Sequence, residues 1–145
     1  MREEHIIDPT SICPVTNETV VSVYEHVFAP WVKDLGLREL SVSMGRATAR
    51  LPANPKLNFS SGAVCGQVIM AAVDTVVSLA MFTTDRLPKG TVYQHTHFLR
   101  AAVNDDFLIE AEVLRFGKTT AYAEATVRFS SSGELVARAS AEFSF

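Results

Sequence analysis

Val64-Cys-Gly-Gln-Val-Ile-Met-Ala-Ala-Val-Asp74-Thr-Val-Val-Ser-Leu-Ala-Met-Phe82 is the stretch on which the fold turns. Val68, Ile69, Met70, Val73, Val76, Val77, Leu79 and Met81 cover every face of a helix drawn through it. A helix that is apolar all round is either a core helix or a membrane span. Length alone would permit a span. Gly66, Gln67, Asp74 and Ser78 interrupt it, however, and the segments after it need a helix to cover their inner face. A core helix is the expectation, and no membrane partner.

Those following segments read as four strands, Thr91 to Leu99, Asp106 to Phe116, Thr119 to Ser130 and Glu134 to Phe145. Gly117-Lys118 and Ser131-Ser132-Gly133 supply hairpin turns between the last three. Their alternation is clean: Ile109, Ala111 and Val113 face one way and Glu110 and Glu112 the other. Ala121, Ala123 and Ala125, like Ala137, Ala139 and Ala141, give two strands small inner faces. Something bulky must approach closely to fill that space. Upstream, Thr16 or Asn17 can cap a helix running through Val20, Tyr24 and Phe28. Pro30 suits the first position of a further short turn that Gly36 ends. Leu40 to Leu51 alternates at a period of two and turns near Gly45, which predicts a strand pair.

One long helix against an antiparallel sheet is an α+β architecture. The 145 residues make one domain spanning 1–145, with 1–36 as an N-terminal helical segment, large enough to bury a core. A net charge of −3 offers no basic face for nucleic acid. Cys13 and Cys65 are too few for a disulfide framework, so a cytoplasmic location is the simpler expectation. Met1 to Asp8 is charged and shows no apolar run of a signal peptide.

Asp74 is the residue out of place. Between Lys56 and Asp85 no other side chain is acidic or basic, and an unpaired carboxylate in an apolar helix needs a partner, water or a task. Upstream, Asn58-Phe-Ser-Ser-Gly62-Ala-Val-Cys65-Gly66-Gln67 leads from a loop straight into the helix. Free N–H groups at a helix start polarise an anionic or carbonyl oxygen, and a glycine there lets a ligand reach the backbone. Gly66 and Asp74 are eight residues apart, which is roughly 12 Å along the axis. One substrate carbonyl cannot touch both within one chain. If both act in one reaction, they come from different subunits, which favours a dimer with composite sites.

At these residues the chain resembles the hot-dog superfamily, in its phenylacetate-pathway-type branch of acyl-CoA thioesterases. The resemblance covers Leu35 to Phe145. It rests on Gly62-x-x-Cys65-Gly66 with Asp74 nine residues past Cys65, on Phe98-Leu-Arg-Ala-Ala102, on Val113-Leu-Arg-Phe-Gly-Lys-Thr-Thr-Ala121 and on Gly133-Glu-Leu-Val-Ala-Arg-Ala139. It implies a sheet wrapped around one helix, a homodimer that is often a dimer of dimers, sites at the interface and no metal. It also implies an acyl-CoA substrate, with coenzyme A entering as part of the substrate rather than as a cofactor. Asp74 matches the acid that activates water or attacks the acyl carbon, and Gly66 the glycine whose N–H polarises the carbonyl. Asn58 resembles a loop asparagine near the catalytic water, one residue further from the glycine than usual. Thr91 resembles a hydroxyl residue that helps to hold that water. Where the family loop commonly has His-Gly-Gly, this chain has Cys65-Gly66-Gln67, which places a thiol and an amide beside the substrate.

Arg100, Arg115, Lys118 and the adjoining Thr119 are candidates to meet the phosphates of coenzyme A, arginine by a two-pronged fork and lysine as a point charge. Cys65 as a nucleophile lacks a histidine beside it in sequence. His95 and His97 are two apart on a strand and so share a face, but no third metal ligand adjoins them. Three functional classes fit this fold: thioester hydrolysis, hydration or dehydration, and acyl-CoA binding without catalysis. A hydratase needs a histidine paired with an acid, and the helix supplies Asp74 alone. The buried acid and the loop together favour hydrolysis.

Overall fold

In the computed structural model residues 12–145 are described; the Met1 to Asp8 lead lies outside them. Two short helices, α1 (Val20–Val27) and α2 (Pro30–Lys33), precede the hairpin β1 (Arg38–Ser43) and β2 (Arg46–Leu51). A 3-10 turn at Pro55–Leu57 and a loop lead into the long helix α3 (Gly66–Met81). Four strands complete the chain: β3 (Gly90–Phe98), β4 (Phe107–Phe116), β5 (Thr120–Phe129) and β6 (Leu135–Ser144). All pairings are antiparallel, in the order β1-β2-β4-β5-β6-β3. The sheet wraps around α3, which is the expected hot-dog arrangement.

The local reasons match the sequence. Gly45 closes the first hairpin at φ 70°, a conformation that costs glycine nothing. Its N–H donates to the Thr83 hydroxyl just beyond α3, at 2.8 Å, so the hairpin is tied to the helix end. Along β5 and β6, Ala121, Ala123, Ala125 and Val127 stand opposite Phe143, Ala141, Ala139 and Ala137. These small inner faces let α3 settle against β2, β4 and β5, where Leu51, Phe107 and Ile109 are sealed from solvent with Ile69, Val73 and Val76. Ala123→Leu should therefore overpack the interior: 2% exposed, it lies between Val113 and Ala141. A loss of about 1–3 kcal/mol is expected, seen as a lower urea midpoint at unchanged slope.

The first helix departs from expectation. It starts at Val20, and neither Thr16 nor Asn17 is its cap. Thr16 and Thr19 bond to each other in the preceding turn. The Asn17 side-chain oxygen instead accepts from the Val42 N–H at 2.8 Å, a long-range tether that local capping rules do not foresee. The helix ends at Val27 rather than Phe28 because Pro30 forces Ala29 into an extended conformation, ψ 150°.

Two strands border the sheet, and they differ. On β1 the register slips between Arg38 and Ser41, and Glu39 takes a positive φ of 54° while its carboxylate pairs with Arg50 Nε at 2.9 Å. On β3 one side pairs with β6, and the strand exposes Val92, Tyr93 and Phe98 by 55%, 46% and 50%. Among the described residues no helix is long and apolar enough to cross a membrane.

Candidate active site

The loop before α3 is pinned from three sides. Val64 N–H donates to Ala102 O at 2.8 Å, Cys65 N–H to Leu57 O at 3.0 Å, and Phe59 N–H to Ala63 O at 2.8 Å. Gly62, at φ +92° with open space around it, makes the reversal. Cys65 then occupies the N-cap position without capping, because its side chain makes no bond to the helix backbone. The thiol donates instead to Gln67 Oε1. Among the described residues, nothing accepts from the N–H groups of Gly66 or Gln67. These are the orphan donors expected of a helix start.

They open onto a cleft of about 520 Å³ lined by Phe59, Val64, Gly66, Gln67, Phe98 and Leu99, with Arg100 also at its wall. A Cβ built on Gly66 would meet only the Phe98 ring, at 3.5 Å, an ordinary contact. Packing in this chain does not demand glycine there; the bare backbone leaves the N–H approachable. Nearby, Asn58 pairs with Val64 through a β-bridge. Its side-chain oxygen is buried with no donor among the described residues, a position that costs roughly 1–3 kcal/mol unless a water or ligand fills it.

Asp74 lies two turns further along α3, on the stripe that carries Gln67 and Met70 away from the sheet. Here the expectation of a buried acid needs correction. In the single chain Asp74 is half-buried, beside a strand, β3, that borders the sheet. Its Oδ1 accepts from the Thr91 hydroxyl at 2.9 Å, so the structure brings together two of the residues singled out in the sequence. Beside them Gln94 donates to Met70 O at 3.3 Å and to Thr96 Oγ1 at 2.9 Å, stitching β3 to α3. Gly66, by contrast, sits against Phe98 at the far end of β3. Helix and strand thus run antiparallel, with the donor at one end of the pair and the acid towards the other.

The proposed phosphate partners fall into separate groups. Arg100 is part of the cleft wall and is steadied by Leu135 O at 2.8 Å and Glu134 at 3.5 Å. Lys118 and Thr119 form the exposed β4–β5 turn, at the sheet end that carries Thr91: Ala121 and Thr91 both stand opposite Phe143. Arg115 stands across from Tyr122 on β5 and does not line the cleft. Sequence reasoning missed Arg86, which donates to Gly117 O and Lys118 O at 2.9 Å and stacks over Phe145 at 4.3 Å, fixing that turn. It also missed Phe59, Phe98 and Leu99 as cleft walls. Their exposure is the only signal, and it is not written in the sequence. Since the donor at this helix start is backbone, Cys65→Ser should remain active. It should lose less than the ~10²-fold that removing a reacting side chain costs, as checked by turnover of the folded variant.

A free N–H pair thus opens onto an apolar cleft, and a carboxylate is held by a threonine at the other end of the helix and strand. Over 93 residues the chain is 30% identical to a Saccharolobus solfataricus protein named as an esterase, covering 63% of this chain and 66% of that one, just under two thirds of its length. Zebrafish thioesterase superfamily member 2 superposes with a TM-score of 0.81 at 23% identity, over 90% of this chain and 98% of the other. The Escherichia coli PaaI protein from the phenylacetic acid degradation operon gives 0.79 at 18% identity, over 88% and 90%. A thioesterase of Streptococcus pneumoniae determined with coenzyme A gives 0.68 at 17%, over 73% and 83%. The sequence profile of the thioesterase superfamily matches residues 61–136, which take in the cleft loop from Ser61 onward, α3, Thr91 and Arg100 and make up more than half of the chain: this protein belongs to that superfamily.

Proposed function

We propose that this protein hydrolyses acyl-CoA thioesters at sites shared between two copies of the chain. The observation that carries the reading is the antiparallel course of α3 and β3, with Gly66 beside Phe98 and Asp74 bonded to Thr91 on a free sheet edge. A second copy whose β3 adds antiparallel to that edge sets its own Phe98 end against the first copy's Thr91 end. The Gly66 N–H of one chain then approaches the Asp74 carboxylate of the other. Unsatisfied strand edges of this kind invite such pairing, and a two-fold makes two equivalent sites. The same geometry draws Lys118 and Thr119 of one copy towards Arg100 of the other, where the phosphates of coenzyme A are to lie.

In the reaction the Gly66 N–H stabilises the oxyanion that forms as the thioester carbonyl is attacked. Asp74, oriented by Thr91, takes a proton from the attacking water, which the orphan oxygen of Asn58 helps to hold. Collapse of the tetrahedral adduct breaks the C–S bond and releases CoA thiolate, which is then protonated. Asp74 could serve the same role as a nucleophile, forming a mixed anhydride that water cleaves; oxygen-18 retained in the Asp74 carboxyl distinguishes this route. The scheme uses no cofactor. Hydration chemistry is disfavoured, because His95 and His97 align with Ser140 and Arg138 on the outer face, away from the cleft.

The decisive measurement is release of free thiol from short, medium and aromatic acyl-CoAs. Turnover that Asp74→Asn abolishes supports hydrolysis. Saturable CoA binding without thiol release would make the protein an acyl-CoA-binding member of the superfamily instead.

A further inference from the structure

The outer face of β3 carries two imidazoles that the reaction above does not use. His95 and His97 are exposed, two residues apart, with ring centroids 4.7 Å from each other. Two imidazoles bound to one tetrahedral zinc ion have centroids about 5 Å apart, given Zn–N bonds of ~2.0–2.1 Å. The ring spacing is thus compatible with two ligands of one ion. One chain does not complete the set: among the described residues no three His, Cys, Asp or Glu side chains are placed to share an ion.

A second copy supplies what is missing. The shared site requires a two-fold that exchanges the Thr91 end of β3 with the Phe98 end, so the axis crosses the strand near Gln94 to Thr96. Residues directly opposite in an antiparallel pair point to the same face. Since the inward side chains of both copies must stay inward, the axis passes at a residue rather than between two. Centred on Thr96, it sets His95 of each copy opposite His97 of the other. Centred on His95, it opposes the two His95 rings with His97 one step along. Opposed Cβ atoms lie about 4.5–5.5 Å apart, so either of these registers provides a third imidazole, and the first provides four; an axis at Gln94 would set His95 opposite Tyr93 and provide none.

We propose that His95 and His97 from two copies form a binding site for a divalent transition metal ion of the zinc class, on the two-fold axis at the outer face of the joined sheet. This rests on the shared-site reading above. Imidazole nitrogens suit zinc, nickel and copper. On the same face Arg138, opposite His97, is turned to Glu124 at 3.5 Å, and Glu142 follows diagonally from His95 opposite Tyr93. An ion held by both chains stabilises the dimer by mass action.

The test uses the full chain without a polyhistidine tag, titrated with Zn²⁺ near neutral pH. Dimer dissociation is followed on dilution, with and without the metal. One Zn²⁺ per dimer and slower dissociation are expected. Either single variant, His95→Asn or His97→Asn, should weaken binding by more than the ~10–100-fold typical of losing an outer-sphere partner. The double variant should abolish binding yet keep hydrolysis and dimerisation. Zinc bound once per chain, not bound, or bound equally by the double variant overturns the inference while leaving the shared catalytic site intact. Absence of a dimer paired through β3 overturns both.

Discussion

Asp74→Asn is expected to keep the fold and the dimer while losing at least ~10²-fold in turnover, the scale typical of a missing general base. The amide retains an oxygen to accept from the Thr91 hydroxyl, which now bonds Oδ1 at 2.9 Å, so local geometry survives. What disappears is the capacity to take a proton or attack a carbonyl. Thr91→Val tests the same contact from the other side. It removes a hydrogen bond to a charged group, worth about 1.5 kcal/mol, and should slow the reaction about 10-fold. Near wild-type hydrolysis by a folded Asp74→Asn protein would remove this residue from the mechanism. Thermal melts and sizing of both variants secure the comparison.

The second large effect is a gain. Gly66→Val places a β-branched side chain over the donor N–H, against the Phe98 ring that a bare Cβ would meet at 3.5 Å. Gly66→Val and Asp74→Asn should each be inactive as homodimers. After dissociation and reassembly together, a heterodimer has one site with both defects and one with none. Activity should recover to about half of wild type per heterodimer, as two equivalent sites in an isologous dimer require. Verified heterodimers without recovery, from parents that are each folded, would show that the sites are not shared. Gly66→Ala, whose single methyl finds ordinary contact, provides a milder variant should valine unfold the loop.

Much of this fold is legible before any coordinates. The run from Val64 to Phe82 declares a core helix because its apolar residues leave no polar face, and the alanine rows of β5 and β6 announce that a helix must come close. Local chemistry marks the turns at Gly45 and Gly117 equally well. Contacts between distant segments are less readable. Asn17 looks like a helix cap, and only the placement of β1 beside it turns its oxygen to Val42 instead. Within the site, the isolation of Asp74 in sequence singled it out, and its partner Thr91 lies seventeen residues away where the chain returns. Its half-exposure was hidden, because nothing in a sequence states that β3 borders the sheet. Phe59, Phe98 and Leu99 escaped for a related reason: an apolar residue on a cleft wall reads like one in the core.

The unlike borders of the sheet have a consequence for the size to which assemblies can grow. A sheet with two receptive borders can add copies head to tail without end, the β1 of one molecule meeting the β3 of the next, and so propagate as a fibre. Here the slipped register and the Arg50-bound Glu39 make β1 a poor template. Growth through β3 alone consumes the receptive border of both molecules at the first encounter. In the proposed pairing, sheet extension would then terminate itself at two copies. Regularising β1, by removing the positive-φ residue at Glu39 and its charge, would convert the proposed closed pair into a polymerising unit, visible as concentration-dependent light scattering.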